Sequence, residues 1–394
     1  MDTLVMKFGG TSVGTIDRIK NVAKLIAEKR KDNNVIVTVS AMSGETDRLI
    51  NLLKSLESHY DSREYDVIVS TGEQVSIALI AQALISMGIK AKSYTGWQAG
   101  IVTDNSYSKS RIKKIETSRL KNDLASGYVC VVAGFQGISE DVYDITTLGR
   151  GGSDTTAVAL AAAVKAKACE IYTDVDGVYT GDPRKIDSPH KLTYISFEEM
   201  LELAAVGAKV LHSRSVELAM KYGLPVVVLS SMENKPGTTV SSYKERDEAT
   251  IAGVALSDEV KIEIHYNGNK TFVNNIVEVL RDTSIDYDMF TLNMEYLSFY
   301  VKNSEKERAL NSLKKFVHAD NFNCSDSVSK ISVVGNKLKG NVDILKQFID
   351  VLKNNNIGIL DIYMSHIRFS FVVNSEKGKD AANLLHNYAI TEYK

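Results

Sequence analysis

The sequence predicts an α/β domain with a mainly parallel central sheet flanked by helices, followed by two small α+β units. Three observations support this fold class. Short β-branched runs alternate with amphipathic helical stretches up to about residue 230. Glycine-rich or acidic turns follow successive strands of that region. Beyond it, one pattern of strands and helices occurs twice.

Size and composition are consistent with this division. A chain of 394 residues exceeds what one hydrophobic core usually organises, so two or three domains are expected. A net charge of −2 gives no electrostatic support for binding nucleic acid or a membrane surface. The first residues do not resemble a signal peptide and no apolar run approaches membrane-spanning length, so we expect a cytoplasmic protein. Three widely spaced cysteines argue against a disulfide framework or a structural zinc site.

The first domain is predicted from its alternating elements. Its strands are Leu4–Phe8, Val35–Ser40, Asp66–Val69, Lys90–Tyr94, Tyr128–Ala133, Ala168–Thr173 and Pro225–Leu229. Its helices lie near 15–31, 45–58, 73–87, 108–126, 153–166, 196–206 and 212–222. Sheets of this type bind ligands beyond the carboxyl ends of their strands.

A domain boundary is predicted near residue 245, because all prolines fall between 183 and 236 and a polar stretch follows at 241–248. The domains are therefore 1–245, 246–320 and 321–394. Each of the last two repeats the order strand, helix, strand, strand, helix. The first copy runs Val260–His265, Phe272–Arg281, Ile285–Leu292, Leu297–Lys302 and Glu305–Val317; the second runs Lys330–Val334, Val342–Asn355, Ile359–Met364, Ile367–Val373 and Glu376–Tyr388. Neither copy buries much core alone, so the two are expected to pack together or to pair across a dimer.

The segment Thr147–Thr156 carries the strongest chemical signal. Glycines surround Arg150 and Asp154 where an apolar helix begins, with Ser153 or Asp154 placed to cap it. The first turn of a helix offers unpaired N–H groups and a positive dipole end, so the pattern indicates an anion site. An ordinary capped helix after a glycine loop is the alternative.

Other strand ends add to this signal. Lys7 stands in an apolar strand before Gly9 and Gly10, which would let backbone amides approach a phosphate, although no Walker A loop occurs. Glu73 stands at a helix start and suits a ligand ammonium, with an exposed capping glutamate as the alternative. Hydroxyl-rich, glycine-rich or acidic turns also follow the strands ending near residues 40, 133 and 173. The dispersed histidines are interpreted as structural or surface residues.

Taken in order, the segments Lys7–Ser12, Gly134–Gly137, Leu148–Asp154 and Thr173–Tyr179 closely resemble those of the aspartate kinases of the amino acid kinase family. The resemblance covers nearly the whole chain, because the repeat resembles the paired ACT domains, which are ferredoxin-like. It implies an amino acid kinase fold and ATP-dependent phosphorylation of the β-carboxylate of L-aspartate to 4-phospho-L-aspartate. That reaction is the committing step toward lysine, threonine and methionine.

The resemblance also implies a role for each matching residue. Lys7 would hold the transferring phosphoryl group with Gly9, Gly10 and Ser12, and Asp154 would orient the phosphate, lysine and Mg²⁺ centre. Arg150, Thr46 and Ser153 would bind the substrate, and Glu73 would accept its ammonium. The nucleotide-binding set would be Thr173, Asp174, Tyr179 and Arg184, with Lys209 reaching the ATP phosphates.

The regulatory half departs from the family pattern. Segments His265–Phe272 and Gly335–Asn341 stand where loops containing proline and glycine are usual, which affects effector identity. Asn269, Asp288 and Met289 are the candidate effector residues for lysine or threonine. A homodimer, or a dimer of dimers, is expected because small sheets commonly bury their edges by association.

Two alternative functions remain open at this point. Another member of the amino acid kinase family could act on glutamate, acetylglutamate or a nucleoside monophosphate. A catalytically silent amino-acid sensor could keep the fold and use only its ACT pair. Arg150, Glu73 and the double repeat favour aspartate over the first, and Lys7, Arg150 and Asp154 together argue against the second.

Overall fold

The computed structural model describes residues 1–57, 60–207, 210–242, 249–266, 270–283, 285–314, 321–325 and 327–393. The chain divides into two compact units. The first comprises Met1–Val178, Lys191–Ala204 and Lys209–Glu245, and the second comprises Tyr179–His190, Ala205–Ala208 and Arg246–Lys394. The predicted domain boundaries at 245 and 320 end on residues outside the described ranges, and they remain predictions.

The first unit alternates strands and helices as expected. Its strands are β1 Thr3–Phe8, β2 Asn34–Val39, β3 Ala91–Tyr94, β4 Ile101–Thr103, β5 Ile112–Ile115, β6 Val129–Ala133, β7 Gln136–Ser139, β8 Ile145–Thr147, β9 Ala168–Thr173, β10 Tyr194–Ser196, β11 Val226–Ser230 and β12 Thr238–Ser241. Its helices are α1 Ile16–Arg30, α2 Glu45–Leu56, α3 Ser62–Val69, α4 Thr71–Ser86, α5 Ser118–Ala125, α6 Gly152–Val164, α7 Phe197–Ala205 and α8 Ser213–Tyr222.

The central sheet has eight strands in the order β10-β12-β11-β9-β1-β2-β6-β3. Every neighbouring pair except β11 and β12 is parallel, which confirms the predicted mainly parallel sheet. Strands β1 and β2 lie in its middle and are almost wholly buried, so both read as continuous apolar runs. Helix α1 packs the buried face Ile19, Val22, Ala23 and Ile26 against this core.

Two predicted elements of this unit are wrong. The segment Asp66–Val69 belongs to helix α3, which begins after Asp61, whose side chain accepts hydrogen bonds from the N–H groups of Arg63 and Glu64. The predicted helix 108–126 contains strand β5 followed by the short helix α5. Ile115 of β5 pairs with Ile101 of β4 in a second sheet of four strands, in the order β5-β4-β7-β8.

Helices α3 and α4 run together over Ser62–Ser86, a stretch long and apolar enough to cross a membrane by those two criteria. Half of its most apolar window is buried inside the protein. The same stretch carries two buried carboxylates, Asp66 and Glu73. We therefore interpret it as a core helix pair.

The second unit contains both copies of the predicted repeat. Its elements are β13 Thr250–His265, α9 Lys270–Thr283, β14 Tyr287–Leu292, β15 Tyr296–Lys302, α10 Lys306–Leu313, β16 Phe322–Cys324, β17 Val328–Asn336, α11 Val342–Asn354, β18 Ile359–Met364, β19 Arg368–Asn374 and α12 Gly378–Glu392. The order strand, helix, strand, strand, helix is confirmed in each copy.

The two copies share one continuous sheet, in the order β14-β15-β13-β17-β19-β18 with β16 beside β13. The long strand β13 serves both copies, because Thr250–Glu259 pairs with β17 and Glu259–His265 pairs with β15. Strand β16 completes the first copy by pairing with Ile262–Ile264. The expected packing of the two copies therefore occurs within a single chain.

Candidate functional site

A cavity of about 940 Å³ lies in the first unit, where the carboxyl ends of central strands meet the first turns of helices. Lys7 reaches it from β1, residues 40–47 follow β2, and Phe135 follows β6. Gly149–Asp154 close it at the start of α6. The predicted residues that line it are Lys7, Gly10, Thr46, Glu73, Arg150, Ser153 and Asp154.

Lys7 and Asp154 form the charged centre of this cavity. Lys7 Nζ lies 2.5 Å from Asp154 Oδ1, and the two side chains are only 11% and 14% exposed. The contact is a nearly buried ion pair. A nearly dry lysine beside the amino end of a helix is suited to holding a phosphoryl group.

Glu73 lies in the first turn of α4 and is 3% exposed. Its Oε1 accepts a hydrogen bond from the N–H of Ala41 at 3.1 Å, whereas its buried Oε2 has no partner among the described residues. Burial raises the pKa of Glu73 to about 8, and the bond from Ala41 only partly opposes this. A cationic ligand group would satisfy Oε2 and stabilise the charged form.

Arg150 projects from the loop between β8 and α6 and is exposed. Its side chain forms no ion pair or hydrogen bond with the described residues, so its guanidinium is available to a ligand carboxylate. The loop passes through left-handed conformations at Gly149 and Gly151, with φ of +74° and +67°. A Cβ on Gly151 would lie only 2.2 Å from Cγ of His212, so this close approach also requires glycine.

His212 is a neighbour of the site that the sequence analysis did not assign. Its Nδ1 is buried without a hydrogen-bond partner among the described residues. Burial lowers its pKa, although the charge of Asp154 works in the opposite direction. Its distance in sequence from Gly151 left no local signal for this contact.

Several of the predicted nucleotide-binding residues, unlike Lys7 and Gly10, do not line this cavity. Ser12 donates from Oγ to Oγ of Ser231 at 2.8 Å, and Ser231 donates to the carbonyl oxygen of Thr173 at 3.2 Å. The N–H of Gly9 donates to Tyr172 O, and Thr173 donates to Asp174 at 2.9 Å. Ser12, Ser230 and Ser231 line a second cavity of about 430 Å³. Ser230 ends β11 and Ser231 follows it, a strand-end signal that the sequence analysis did not use.

Three further nucleotide-binding predictions are not tested by these contacts. Tyr179 and Arg184 belong to the segment Tyr179–His190 of the second unit, where Arg184 pairs with Asp182 at 2.8 Å. Lys209 lies outside the described residues. All three assignments remain predictions.

The predicted effector residues lie in the second unit. Asp288 forms ion pairs with Lys330 at 2.6 Å and Arg368 at 3.1 Å. Burial works to raise the pKa of Asp288, but the charges of Lys330 and Arg368 outweigh it and lower that pKa to about 2. An effector ammonium would have to compete with these cations. Met289 is buried and has a φ of +51°, and Asn269 lies outside the described residues.

The described residues contain no group of three or more histidine, cysteine, aspartate or glutamate side chains able to hold a metal ion by themselves. Mg²⁺, however, is commonly bound by one or two carboxylates together with substrate phosphates. Asp154, a carboxylate that lines the cavity beside Lys7, fits that mode of binding. The donor set therefore suits a metal that arrives with a nucleotide.

Comparisons with known proteins agree with this geometry. The model of the amino acid kinase family matches residues 2–230, and an ACT domain model matches residues 331–388. An aspartokinase of Geobacillus stearothermophilus is 42% identical over 396 residues, covering 98% of this chain and 97% of that protein. Aspartokinase 2 of Bacillus subtilis is also 42% identical, with the same coverage.

Among solved structures, E. coli aspartokinase III in complex with aspartate and ADP superposes with a TM-score of 0.81 at 24% identity. That match covers 99% of this chain and 100% of the other. The same enzyme in complex with lysine and aspartate gives a TM-score of 0.80 at 23% identity, covering 99% of this chain and 100% of the other. These structures support the fold, and the sequence relatives establish the family. The chain belongs to the aspartate kinases of the amino acid kinase family.

Proposed function

We propose that this chain transfers the γ-phosphoryl group of ATP to the β-carboxylate of L-aspartate, giving 4-phospho-L-aspartate and ADP. The observation that carries the proposal is the meeting of four groups in one cavity: the Lys7–Asp154 pair, the unsatisfied oxygen of Glu73 and the ligand-free guanidinium of Arg150. A substrate with one ammonium and two carboxylates complements this set.

Recognition of aspartate follows from the charges. Glu73 Oε2 would accept the ammonium, while Arg150 and Thr46 would bind carboxylate oxygens with help from Ser153. Arginine suits this task because its planar fork donates to both oxygens of a carboxylate. Glutamate is longer by one methylene group. With its ammonium and α-carboxylate held by the same residues, its side-chain carboxylate would lie at a different position relative to the phosphoryl centre.

Phosphoryl transfer needs positioning and charge neutralisation more than a covalent nucleophile. An oxygen of the β-carboxylate attacks the γ-phosphorus, and the bond to the bridging oxygen breaks with its electron pair leaving on ADP. Lys7 and the first turn of α6 would stabilise the developing negative charge. Mg²⁺ held by Asp154 and phosphate oxygens would neutralise further charge. An ionised acceptor requires no general base, so none is assigned.

Regulation and assembly complete the proposal. The ACT pair would bind an amino-acid effector, lysine or threonine, and the chain would form a homodimer or a dimer of dimers. Exposed apolar residues on the outer strands β14 and β18, including Phe290, Leu292, Leu360 and Ile362, support association through these edges. A cytoplasmic location belongs to the same proposal.

Trapping of the acyl phosphate with hydroxylamine tests the activity. We expect hydroxamate formation that requires ATP, Mg²⁺ and L-aspartate, with L-glutamate and N-acetylglutamate inactive, and no release of ADP from ATP with nucleoside monophosphates as acceptors. Phosphorylation of glutamate in place of aspartate would overturn the substrate assignment. Absence of turnover with every acceptor, together with retained binding of lysine or threonine, would support a silent sensor instead.

A further inference from the structure

Asp66 is a fully buried carboxylate that does not line the candidate site, yet it holds two segments that do. Its Oδ1 and Oδ2 accept the N–H of Ser108 at 3.0 and 2.9 Å. Thr147 donates from its N–H to Oδ2 at 2.9 Å and from its hydroxyl to Oδ1 at 2.5 Å. One side chain of α3 therefore fixes two points that are far apart in sequence.

Both points lead directly to the cavity. Ser108 lines it and has a φ of +65°, a conformation that costs a residue with a Cβ about 1 kcal/mol unless its surroundings impose it. Thr147 ends β8 and precedes the loop that carries Arg150. The two segments also touch, because a Cβ on Gly149 would lie 3.0 Å from the carbonyl oxygen of Ser108.

Helix α8 holds the same loop from another direction. Arg214 donates from Nη1 to the carbonyl oxygen of Leu148 at 2.5 Å and from Nη2 to that of Ser110 at 3.3 Å. Ser110 in turn donates from its N–H and its hydroxyl to the carbonyl oxygen of Thr147, at 2.9 and 2.8 Å. The backbone leading to Arg150 is thus tied on both sides, by the buried Asp66 and Ser110 and by the half-buried Arg214.

Arg150 itself makes no such contacts with the described residues, so its position depends on that backbone. We propose that Asp66 is a positioning residue for substrate recognition, which holds the loop after β8 so that Arg150 meets a carboxylate of the amino-acid substrate. The inference rests on the proposed function. Displacements of about 1 Å at a binding group can cost on the order of 100-fold in rate, so this tether has kinetic consequences.

A positioning role for Asp66 differs from a merely structural role in which measured quantity changes, the KM for aspartate or the stability of the protein. Loss of a merely structural contact lowers only stability and the amount of active enzyme, whereas loss of this tether also weakens the binding of one substrate. Among the described residues, Asp66 bonds to Ser108 and Thr147, whereas Lys7 and Asp154 pair with each other. The binding of ATP and the chemical step should therefore persist.

The test is steady-state kinetics of Asp66→Asn by hydroxamate trapping, since the amide places an NH₂ group where a carboxylate oxygen accepts hydrogen bonds. We expect the KM for aspartate to rise about 5- to 20-fold, with kcat and the KM for MgATP changed less than twofold. Glu199→Gln is the matched control. Glu199 is also buried and accepts hydrogen bonds from the N–H and hydroxyl of Ser196, but it does not line the cavity. Its KM for aspartate should not change.

Thr147→Val is the second variant, because it removes the hydroxyl bond to Asp66 while keeping side-chain size. It should raise the KM for aspartate about 2- to 5-fold, and it provides the test if Asp66→Asn does not fold. Equal changes in the KM values for aspartate and MgATP, or no change in either, would overturn the inference. Wild-type enzyme without aspartate-dependent turnover would instead refute the proposed function.

Discussion

Helices α3 and α4 each bury a carboxylate, and the two carboxylates have opposite surroundings. Asp66 of α3 accepts hydrogen bonds from three groups: the N–H of Ser108, which both oxygens share, and the N–H and hydroxyl of Thr147. Glu73 of α4 accepts one from Ala41 and leaves Oε2 without a partner among the described residues. A buried polar group without a partner costs free energy, so the folded protein tolerates Glu73 at the expense of stability.

The comparison shows how to distinguish a tether from a binding group. Burial raises the pKa of both carboxyl groups, but the bonds from Thr147 and Ser108 oppose the effect at Asp66. Asp66 is therefore satisfied by the fold itself, whereas Glu73 reaches its full complement of partners only with a cationic ligand. Asp288 represents a third case, in which a carboxylate is neutralised by Lys330 and Arg368 of the same unit.

The largest expected effect is on turnover in Glu73→Gln. The amide keeps the size of the side chain but cannot neutralise an ammonium, so kcat/KM for aspartate should fall about 100- to 1,000-fold, or roughly 3–4 kcal/mol. Steady-state kinetics with hydroxylamine trapping measures this. Glu64→Gln, at an exposed acid of α3, serves as the control. A change of less than threefold would show that Oε2 of Glu73 does not meet the substrate.

Lys330→Met should give the next largest effect, on stability. The Lys330 side chain is 3% exposed and pairs with Glu259 at 2.7 Å and Asp288 at 2.6 Å. Its removal leaves two carboxylates short of a cation, which should lower the free energy of unfolding of the second unit by about 3 kcal/mol. Calorimetry checks this, with Lys302→Met, which removes an exposed ion pair, as the control. Equal stability of the two variants would contradict the expectation.

Opposite changes in stability are expected for the two carboxylates compared above. Asp66→Asn should lower the free energy of unfolding by about 2 kcal/mol, because the amide disrupts a satisfied buried network. Glu73→Gln should raise it by about 1–2 kcal/mol at pH 8 in the absence of ligand, because no buried charge remains. Urea unfolding of the ligand-free proteins measures both. Destabilisation by both substitutions to a similar extent would remove the distinction between them.

Glu73 could be identified from the sequence and Asp66 could not, and the reason is physical. Glu73, Lys7, Arg150 and Asp154 lie at strand ends or helix starts beside glycines, where local sequence and ligand chemistry coincide. Asp66 lies in a short apolar run that also fits a strand. The capping pattern of Asp61 and Glu64 was the local signal for a helix. The hydrogen bonds of Asp66 to Ser108 and Thr147 join residues far apart in sequence, so no pattern in the neighbouring residues predicts them.

The other elements of the fold also divide into those with a local sequence pattern and those that depend on long-range pairing. The long strands β1, β2, β6 and β9 and the two repeats could be predicted, because each has a clear periodicity or a buried apolar run. The spacing of Ile112 and Ile115 fits a helical face, and only pairing with β4 makes that segment a strand. Strands β4, β8 and β10 have three residues each, too few for any pattern. Sharing of β13 between the two repeats depends on long-range pairing.

The smallest expected effect concerns pH and again contrasts Glu73 with Asp66. The folded-state pKa of Glu73 is about 8, above its ordinary value of 4.5, so the ligand-free protein holds this proton more tightly than the unfolded chain does. The resulting stability is fully present below pH 4.5 and is lost as the pH rises through 8. Binding of an ammonium requires the ionised form.

Aspartate binding near pH 7 should therefore release roughly one proton, and the apparent Kd should fall about fivefold between pH 7 and 8. Titration calorimetry in buffers of different ionisation enthalpy measures the proton count. Glu73→Gln should abolish the release, whereas Asp66→Asn should bind more weakly but still release the proton. Release that persists in Glu73→Gln would assign the proton to another group, and Glu73 would then be a second structural carboxylate like Asp66.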